Sequence, residues 1–276
     1  MKRLIFILIL TLLISGCQIL PRFLVTDTPV PPTAAITPTP TLTLPSPSAT
    51  PLPVAPTPTP VKPLLLGNQS LFESSANPEY TLRVYYPQFE QNKTPQMQAF
   101  NDFSKQMARE LMDSYLSELA KSQVTPDPNF HPSFMETTYQ VTNGTHGLLS
   151  ILYRVADYWS GAAHPNQYFR VQNFNLIAGK EIVLADLFLP GSHFIQSIAD
   201  YCIADLKKQD RLMFEAGAQP EAVNYQNWNI TPEGLQISFD PYQVGPYALG
   251  PSTVVVPYTS LKQIINPAGP LAPYYQ

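Results

Sequence analysis

Between Pro21 and Pro63 the chain runs through repeated Thr-Pro pairs set among Ala, Ser and Leu, with no charged residue between Asp27 and Lys62. Each proline fixes its own φ, pushes the preceding residue toward extended backbone and lacks the N–H that helices and sheets need. The run is therefore expected to be a polyproline-II-rich spacer outside any packed core. At about 3.1 Å per residue its extended reach is on the order of 100 Å. A Pro-rich ligand for a partner's groove is the other reading, but no flanking specificity residues accompany it. Folding is thereby confined to residues 64–276, a length of roughly 210 residues that suits one large domain or two small interlocked ones.

An export signal stands ahead of the spacer. Lys2 and Arg3 form a basic start, Leu4 to Ile14 is almost wholly apolar, and Ser15 and Gly16 place small residues before Cys17. The apolar run is too short to span a bilayer comfortably and reads as a signal h-region. Ile14-Ser15-Gly16-Cys17 looks like a lipobox, in which the thiol is diacylglycerylated and the signal is cut just before it. The expectation is a signal peptide at 1–16 and a lipidated Cys17 heading a tether over 17–63. The folded domain would then sit at the extracytoplasmic face of the cell membrane. The plain alternative is an ordinary signal peptide with a chance cysteine.

Charged residues make up only 13% of the chain and the net charge is −4, which argues against nucleic acid, whose phosphates need clustered Lys and Arg. Apolar residues at 44%, with 11% aromatic, are ample for a core. If Cys17 carries lipid, Cys202 has no disulfide partner. Phe194, Ile198 and Cys202 share one helical face, so Cys202 reads as a buried, inert thiol. His131, His146, His164 and His193 show no metal-ligand spacing, and Gly-x-Ser-x-Gly, Ser-x-x-Lys and phosphate-loop motifs are missing from the sequence. Neither a metal nor a cofactor is expected.

Alternation predicts strands at Tyr80–Tyr86, Phe134–Thr142, Leu148–Trp159 and Gln167–Ile177, with Asn143-Gly144 as a tight turn. Thr94-Pro95 offers an N-cap and a first-turn proline. Phe100, Phe103, Met107, Leu111, Tyr115 and Leu119 then repeat at helical spacing through Lys121. A second helix is expected over His193–Arg211, a hairpin over Asn227–Phe239, a strand at Thr253–Pro257 and a short helix at Tyr258–Ile265. The fold class is α+β: antiparallel sheet or sheets with two main helices packed on one face, in two sub-parts of about 64–160 and 161–276.

Two loops carry the candidate site. In Asp157–Asn166, His164 suits an acid/base or donor role and Asn166 a bidentate hydrogen bonder, with Trp159 nearby. The structural alternative has both polar side chains satisfying a sharp turn, with Trp159 packed beneath. In Phe239–Pro251, three prolines and two glycines set the path while Tyr242 and Tyr247 offer flat faces for protein or glycan contact, or else brace the loop from within. Trp159, His164, Asn166, Tyr242 and Tyr247 are the candidate binding residues.

Gly161-Ala162-Ala163-His164-Pro165-Asn166, Asn173-Phe174-Asn175, Gly179-Lys180, Leu184–Phe188, Phe239–Ala248 and Val256-Pro257-Tyr258 together resemble an extracytoplasmic domain family of largely unknown function. That family occurs in the outer part of the anti-sigma factor RsiV and in the N-terminal, non-catalytic region of the deacetylase PdaC. The resemblance covers about residues 75–265. It implies a two-part α+β domain outside the membrane, associated with the cell wall, and in the anti-sigma factor such a domain binds lysozyme. The sequence shows no sigma-binding segment, membrane-spanning helix or polysaccharide-deacetylase motif, which sets those activities aside.

The sequence thus reads as a lipid-anchored, non-enzymatic binding domain whose partner is peptidoglycan glycan or a wall-active protein such as lysozyme. The rival is a surface-polymer hydrolase pairing His164 with Asp157, Asp186 or Asp240. Cys17→Ser is expected to abolish labelling by an alkyne fatty acid and to move the protein from the membrane pellet to the soluble fraction.

Overall fold

Leu82, Val84 and Tyr86 are buried at every second position, so one face of the expected strand enters a core. In the computed structural model, which describes residues 65–91, 94–122 and 131–274, this strand is β2 (Glu79–Phe89). The expected signal peptide, the Cys17 lipidation site and the spacer lie outside the described residues. No described helix is long and apolar enough to cross a membrane.

A strand the sequence reading lacks, β1 (Leu66–Ala76), pairs antiparallel with β2 along its whole length. Its segment, Leu-Gly-Asn-Gln-Ser-Leu-Phe-Glu-Ser-Ser-Ala, has no apolar alternation because it is an edge strand exposed on most of its length. Helix α1 (Pro95–Lys121) begins as expected, with Thr94 Oγ1 accepting the Met97 N–H at 3.2 Å. Its buried face mixes Phe100, Leu111, Tyr115 and Leu119 with the small residues Ser104 and Ala108, which let helix and sheet approach closely. Phe103 and Met107 lie at the margin of that stripe. Asn101 closes the end of β2, accepting the Phe89 N–H at 2.7 Å and donating to the Phe89 carbonyl at 3.0 Å.

Because α1 crosses the sheet face, β3 (Ser133–Asn143) returns parallel to β2, from Tyr80↔Ser133 to Arg83↔Glu136. The remaining pairings are antiparallel: β3 with β4 (Leu148–Tyr158), β4 with β5 (Asn166–Asn175), and β5 with the short β6 (Lys180–Glu181). The strand order is β1-β2-β3-β4-β5-β6. The β3–β4 connection differs from the expected turn. His146 (φ 55) and Gly147 (φ 73) adopt the left-handed conformation, while the Asn143 side chain donates to the Leu148 carbonyl at 3.0 Å. A Cβ on Gly147 would come within 2.7 Å of Ile177, so glycine serves both the angle and the space.

The second sub-part builds its own core. Helix α2 (Phe194–Lys208) packs on a sheet of β7 (Trp228–Ile230), β8 (Gly234–Phe239) and β9 (Ser252–Pro257), all antiparallel, and α3 (Tyr258–Leu261) closes it. Each main helix therefore covers its own sheet. Cys202 is fully buried among Ile198, Leu206 and Tyr225, and burial pushes its thiol up to about 12. Burial of each large aliphatic or aromatic side chain in these cores contributes about 1.5–3 kcal/mol.

A polar seam joins the two sheets. Ser150 Oγ donates to Asn173 Oδ1 at 2.6 Å and accepts from Asn229 Nδ2 at 3.0 Å and from the Ile230 N–H at 2.9 Å. One donor and two lone pairs are all used. Asn173 Nδ2 donates to the Trp228 carbonyl at 2.9 Å, and Thr142 Oγ1 meets the Ile230 carbonyl at 3.0 Å. Ser150→Ala strands two donors in a dry interior and is expected to cost about 1–3 kcal/mol, read as a lower urea midpoint at unchanged slope.

Candidate functional site

The loop between β8 and β9 is largely half-buried, exposes Tyr242 and Ala248, and is anchored at many points. Asp240 Oδ1 accepts the Phe169 N–H at 2.7 Å, tying the loop's start to the free edge of β5. Burial raises the Asp240 carboxyl above the usual carboxylate range, opposed by that N–H, by Arg170 and by Asn227. Gln243 Oε1 accepts the Asp240 N–H at 3.1 Å, and Gln243 Nε2 donates to the Gly217 and Asn224 carbonyls, each at 3.0 Å. The Val244 carbonyl accepts from the Met213 and Phe214 N–H groups at 2.8 and 3.0 Å. Arg211 holds the loop's end, donating to Ser252 Oγ and to the Leu249 and Pro251 carbonyls. The segment 215–218 passes so close that a Cβ on Gly217 would sit 1.8 Å from the Gln243 carbonyl oxygen.

On this platform three of the five candidate residues meet. His164 stacks on Tyr247 with ring centroids 4.2 Å apart and an interplanar angle of 25°. Tyr242 follows at 5.5 Å and 31°, which completes a ladder of three rings. The Pro165 carbonyl joins the ladder's two halves: it accepts the Tyr247 hydroxyl at 3.0 Å and lies 2.9 Å from His164 Nδ1. That contact assigns the proton of the neutral ring to Nδ1, since a carbonyl only accepts. Tyr242 is 55% exposed and has φ 69, a left-handed conformation that a bulky residue adopts at a cost of about 1–3 kcal/mol. The neighbouring segment adds Met213 and Phe214, both exposed.

The other two candidates have different surroundings. Trp159 stacks on Tyr115 of α1 at 4.5 Å and belongs to the margin of the first core. Asn166 sits opposite Asp157 in the β4–β5 register, and with Tyr168 its side chain hydrogen-bonds the Asp157 carboxylate. Burial raises that carboxyl, and Asp157 Oδ1 has no hydrogen-bond partner. Asp186 Oδ2 accepts the Val183 N–H at 3.1 Å within its own turn. Thus His164 faces a carbonyl and a tyrosine ring, whereas Asp157, Asp186 and Asp240 are each engaged with other donors. Among the described residues no group of three His, Cys, Asp or Glu side chains is placed to hold a metal.

Met213 and Phe214 escaped the sequence reading, because an exposed Met-Phe pair reads as ordinary apolar filling until its neighbours are known. Arg154 escaped it too. The signal there was a lone cation in the largely apolar β4, where it is exposed between the buried Tyr153 and Val155.

Comparison with known proteins matches two separate stretches of the chain. Residues 73–167 match the family model described as deacetylase PdaC, and residues 185–259 match the one described as a protein of unknown function, DUF3298. His164 lies in the first region, Tyr242 and Tyr247 in the second. The chain is 21% identical over 192 residues to the immunogenic proteins MPB64 of Mycobacterium bovis and MPT64 of Mycobacterium tuberculosis, covering 69% of this chain and 80% of each relative. An esterase of Mycobacterium tuberculosis is 28% identical over 105 residues, which span 37% of this chain and 45% of the esterase. Two crystal structures of DUF3298 proteins share the fold. One, from Bacteroides fragilis, has a TM-score of 0.51 at 16% identity over 78% of this chain and 99% of its own. The other, from Pseudomonas aeruginosa, has a TM-score of 0.51 at 15% identity over 74% and 95%.

The strained backbone separates a functional Tyr242 from a structural one. Tyr242→Asn supplies a residue that tolerates the left-handed conformation, so it is expected to keep or raise stability by up to about 1 kcal/mol in thermal unfolding. A clear loss of stability would make the ring a structural brace.

Proposed function

We propose that the chain, whose residues 185–259 match the DUF3298 model and residues 73–167 the PdaC model, is a lipid-anchored binding module displayed at the extracytoplasmic face of the cell membrane. The observation that carries this reading is the rigid, solvent-facing ladder His164–Tyr247–Tyr242, joined across two halves of the chain through the Pro165 carbonyl. Rings fixed in advance lose little entropy on binding, which favours recognition over catalysis. Lipidation at Cys17 and the proline-rich tether would hold the module to the membrane while it searches the wall layer.

Between a wall glycan and a wall-active protein such as lysozyme, the ladder favours the protein. His164 and Tyr247 stack face to face, which covers the ring faces between them and leaves less open aromatic face for a sugar ring. Exposed Met213 and Phe214 beside the loop extend an apolar, weakly charged surface of the kind found at protein interface centres. The chain's net charge of −4 complements a basic partner such as lysozyme.

A hydrolytic reading draws on the esterase relative. Against it, the acidic partners the hydrolytic reading needs are engaged elsewhere: His164 Nδ1 lies 2.9 Å from the Pro165 carbonyl, Asp240 accepts the Phe169 N–H and Asp186 the Val183 N–H.

The test uses full-length protein in detergent, with immobilised lysozyme and with sedimented peptidoglycan. Retention by lysozyme is expected, weakened at least about tenfold in Tyr242→Ala/Tyr247→Ala with folding intact. Retention by peptidoglycan alone would move the ligand to the glycan, and retention by neither would sink both. Turnover of p-nitrophenyl esters that disappears in His164→Ala would favour the hydrolase instead.

A further inference from the structure

A cavity of about 230 Å³ opens on the face of the six-stranded sheet opposite α1, apart from the aromatic ladder. Its floor is β3, β4 and β5, through Glu136, Thr138, Arg154, Gln167 and Phe169, and its wall is Pro241 and Pro251. Cross-strand register places Arg154 opposite both Thr138 and Phe169, and Glu136 one diagonal step away, opposite Ala156. Such diagonal neighbours stand about 7–8 Å apart at the backbone.

The charges in this cavity are uncommitted. Arg154 lies over the Phe169 ring at 5.2 Å, a stacking that holds the guanidinium flat and leaves its N–H edges free. Among the described residues the ion pairs are Lys121–Glu118 and Lys207–Glu215, so neither Arg154 nor Glu136 is engaged in one. The proline wall is held from beneath. Asp240, bonded to the Phe169 N–H, sets Pro241, and Arg211, bonded to the Pro251 carbonyl, sets Pro251. A cation held flat on Phe169 and an anion one diagonal step away, with a hydroxyl and an amide beside them, form a dipolar receptor.

We infer that this groove is a second binding site, for a short peptide with both termini free, its carboxylate on Arg154 and its ammonium on Glu136. Arg suits the carboxylate because its forked N–H groups match two oxygens. Thr138 and Gln167 supply hydrogen bonds for the peptide group, and Ala156, Phe169 and the prolines take a small side chain. The volume admits a residue or two and excludes a long chain. This site stands independently of the proposed lysozyme contact, because none of its residues belongs to the ladder.

Calorimetric titration of the full-length protein with Ala-Ala tests it, alongside N-acetyl-Ala-Ala and Ala-Ala amide. Binding of the free dipeptide is expected, with each capped peptide weaker by about tenfold or more. Arg154→Gln should weaken the free and acetylated peptides but leave the amide unchanged, and Glu136→Gln should weaken the free and amidated peptides but leave the acetylated one unchanged. Both residues are exposed, and circular dichroism confirms that the variants fold. Equal binding of all three peptides, binding unaffected by either variant, or no binding at all would overturn the assignment. Lysozyme retention measured on the same variants stays at the parent level if the two sites are separate.

Discussion

Everything outward-facing in this domain depends on the buried hydrogen bonds that hold its two sheets together. Ser150, Asn173 and Asn229 sit on different strands, are at most 3% exposed, and exchange bonds with one another and with the backbone of β7. Apolar packing alone would let two cores of this size slide, because it is non-directional. Hydrogen bonds exchanged inside a low-dielectric interior favour one alignment and penalise the rest, since any slip leaves donors unmade. The seam therefore sets the register between the sheets. Asp240, gripping the Phe169 N–H at the free edge of β5, extends that register to the surface.

The aromatic ladder is a consequence of that alignment. His164 leaves the chain just before β5, while Tyr242 and Tyr247 come from the loop after β8. The two family regions matched along the sequence contribute one half each, so neither alone contains the stacked rings. Rigidity around the rings is unusual for a surface loop. Gln243, Arg211 and the close pass of Gly217 satisfy its backbone from within, which holds Tyr242 in a left-handed conformation at a local energetic cost. The same anchors fix Pro241 and Pro251 along the neighbouring groove, so one scaffold serves two surfaces.

Much of the fold was legible in the residues. The helical stripe in α1, the Thr94-Pro95 start, the strands from β2 to β5 and the β7–β8 hairpin follow from periodicity and local stereochemistry. The missing pieces share a cause. Strand β1 escaped because an exposed edge strand carries no apolar alternation. The parallel β2–β3 pair escaped because pairing direction depends on where a crossing helix returns the chain. The β3–β4 turn moved to His146-Gly147 because Asn143 found better use in bonding the Leu148 carbonyl. Among the site candidates, His164, Tyr242 and Tyr247 converged, whereas Trp159 was drawn to Tyr115 and Asn166 to Asp157.

The sequence by itself determined the α+β class, the boundaries of most elements and the inert burial of Cys202. These are properties of local chemistry: apolar periods, caps and turn preferences act over a few residues and can be read in order. Tertiary structure decided which distant side chains share a surface. The ladder joins residues about eighty positions apart (164 with 242 and 247), and the groove charges Glu136 and Arg154 face proline walls from beyond position 240. Such neighbours are set by packing and buried hydrogen bonding over long separations, and no local pattern encodes them.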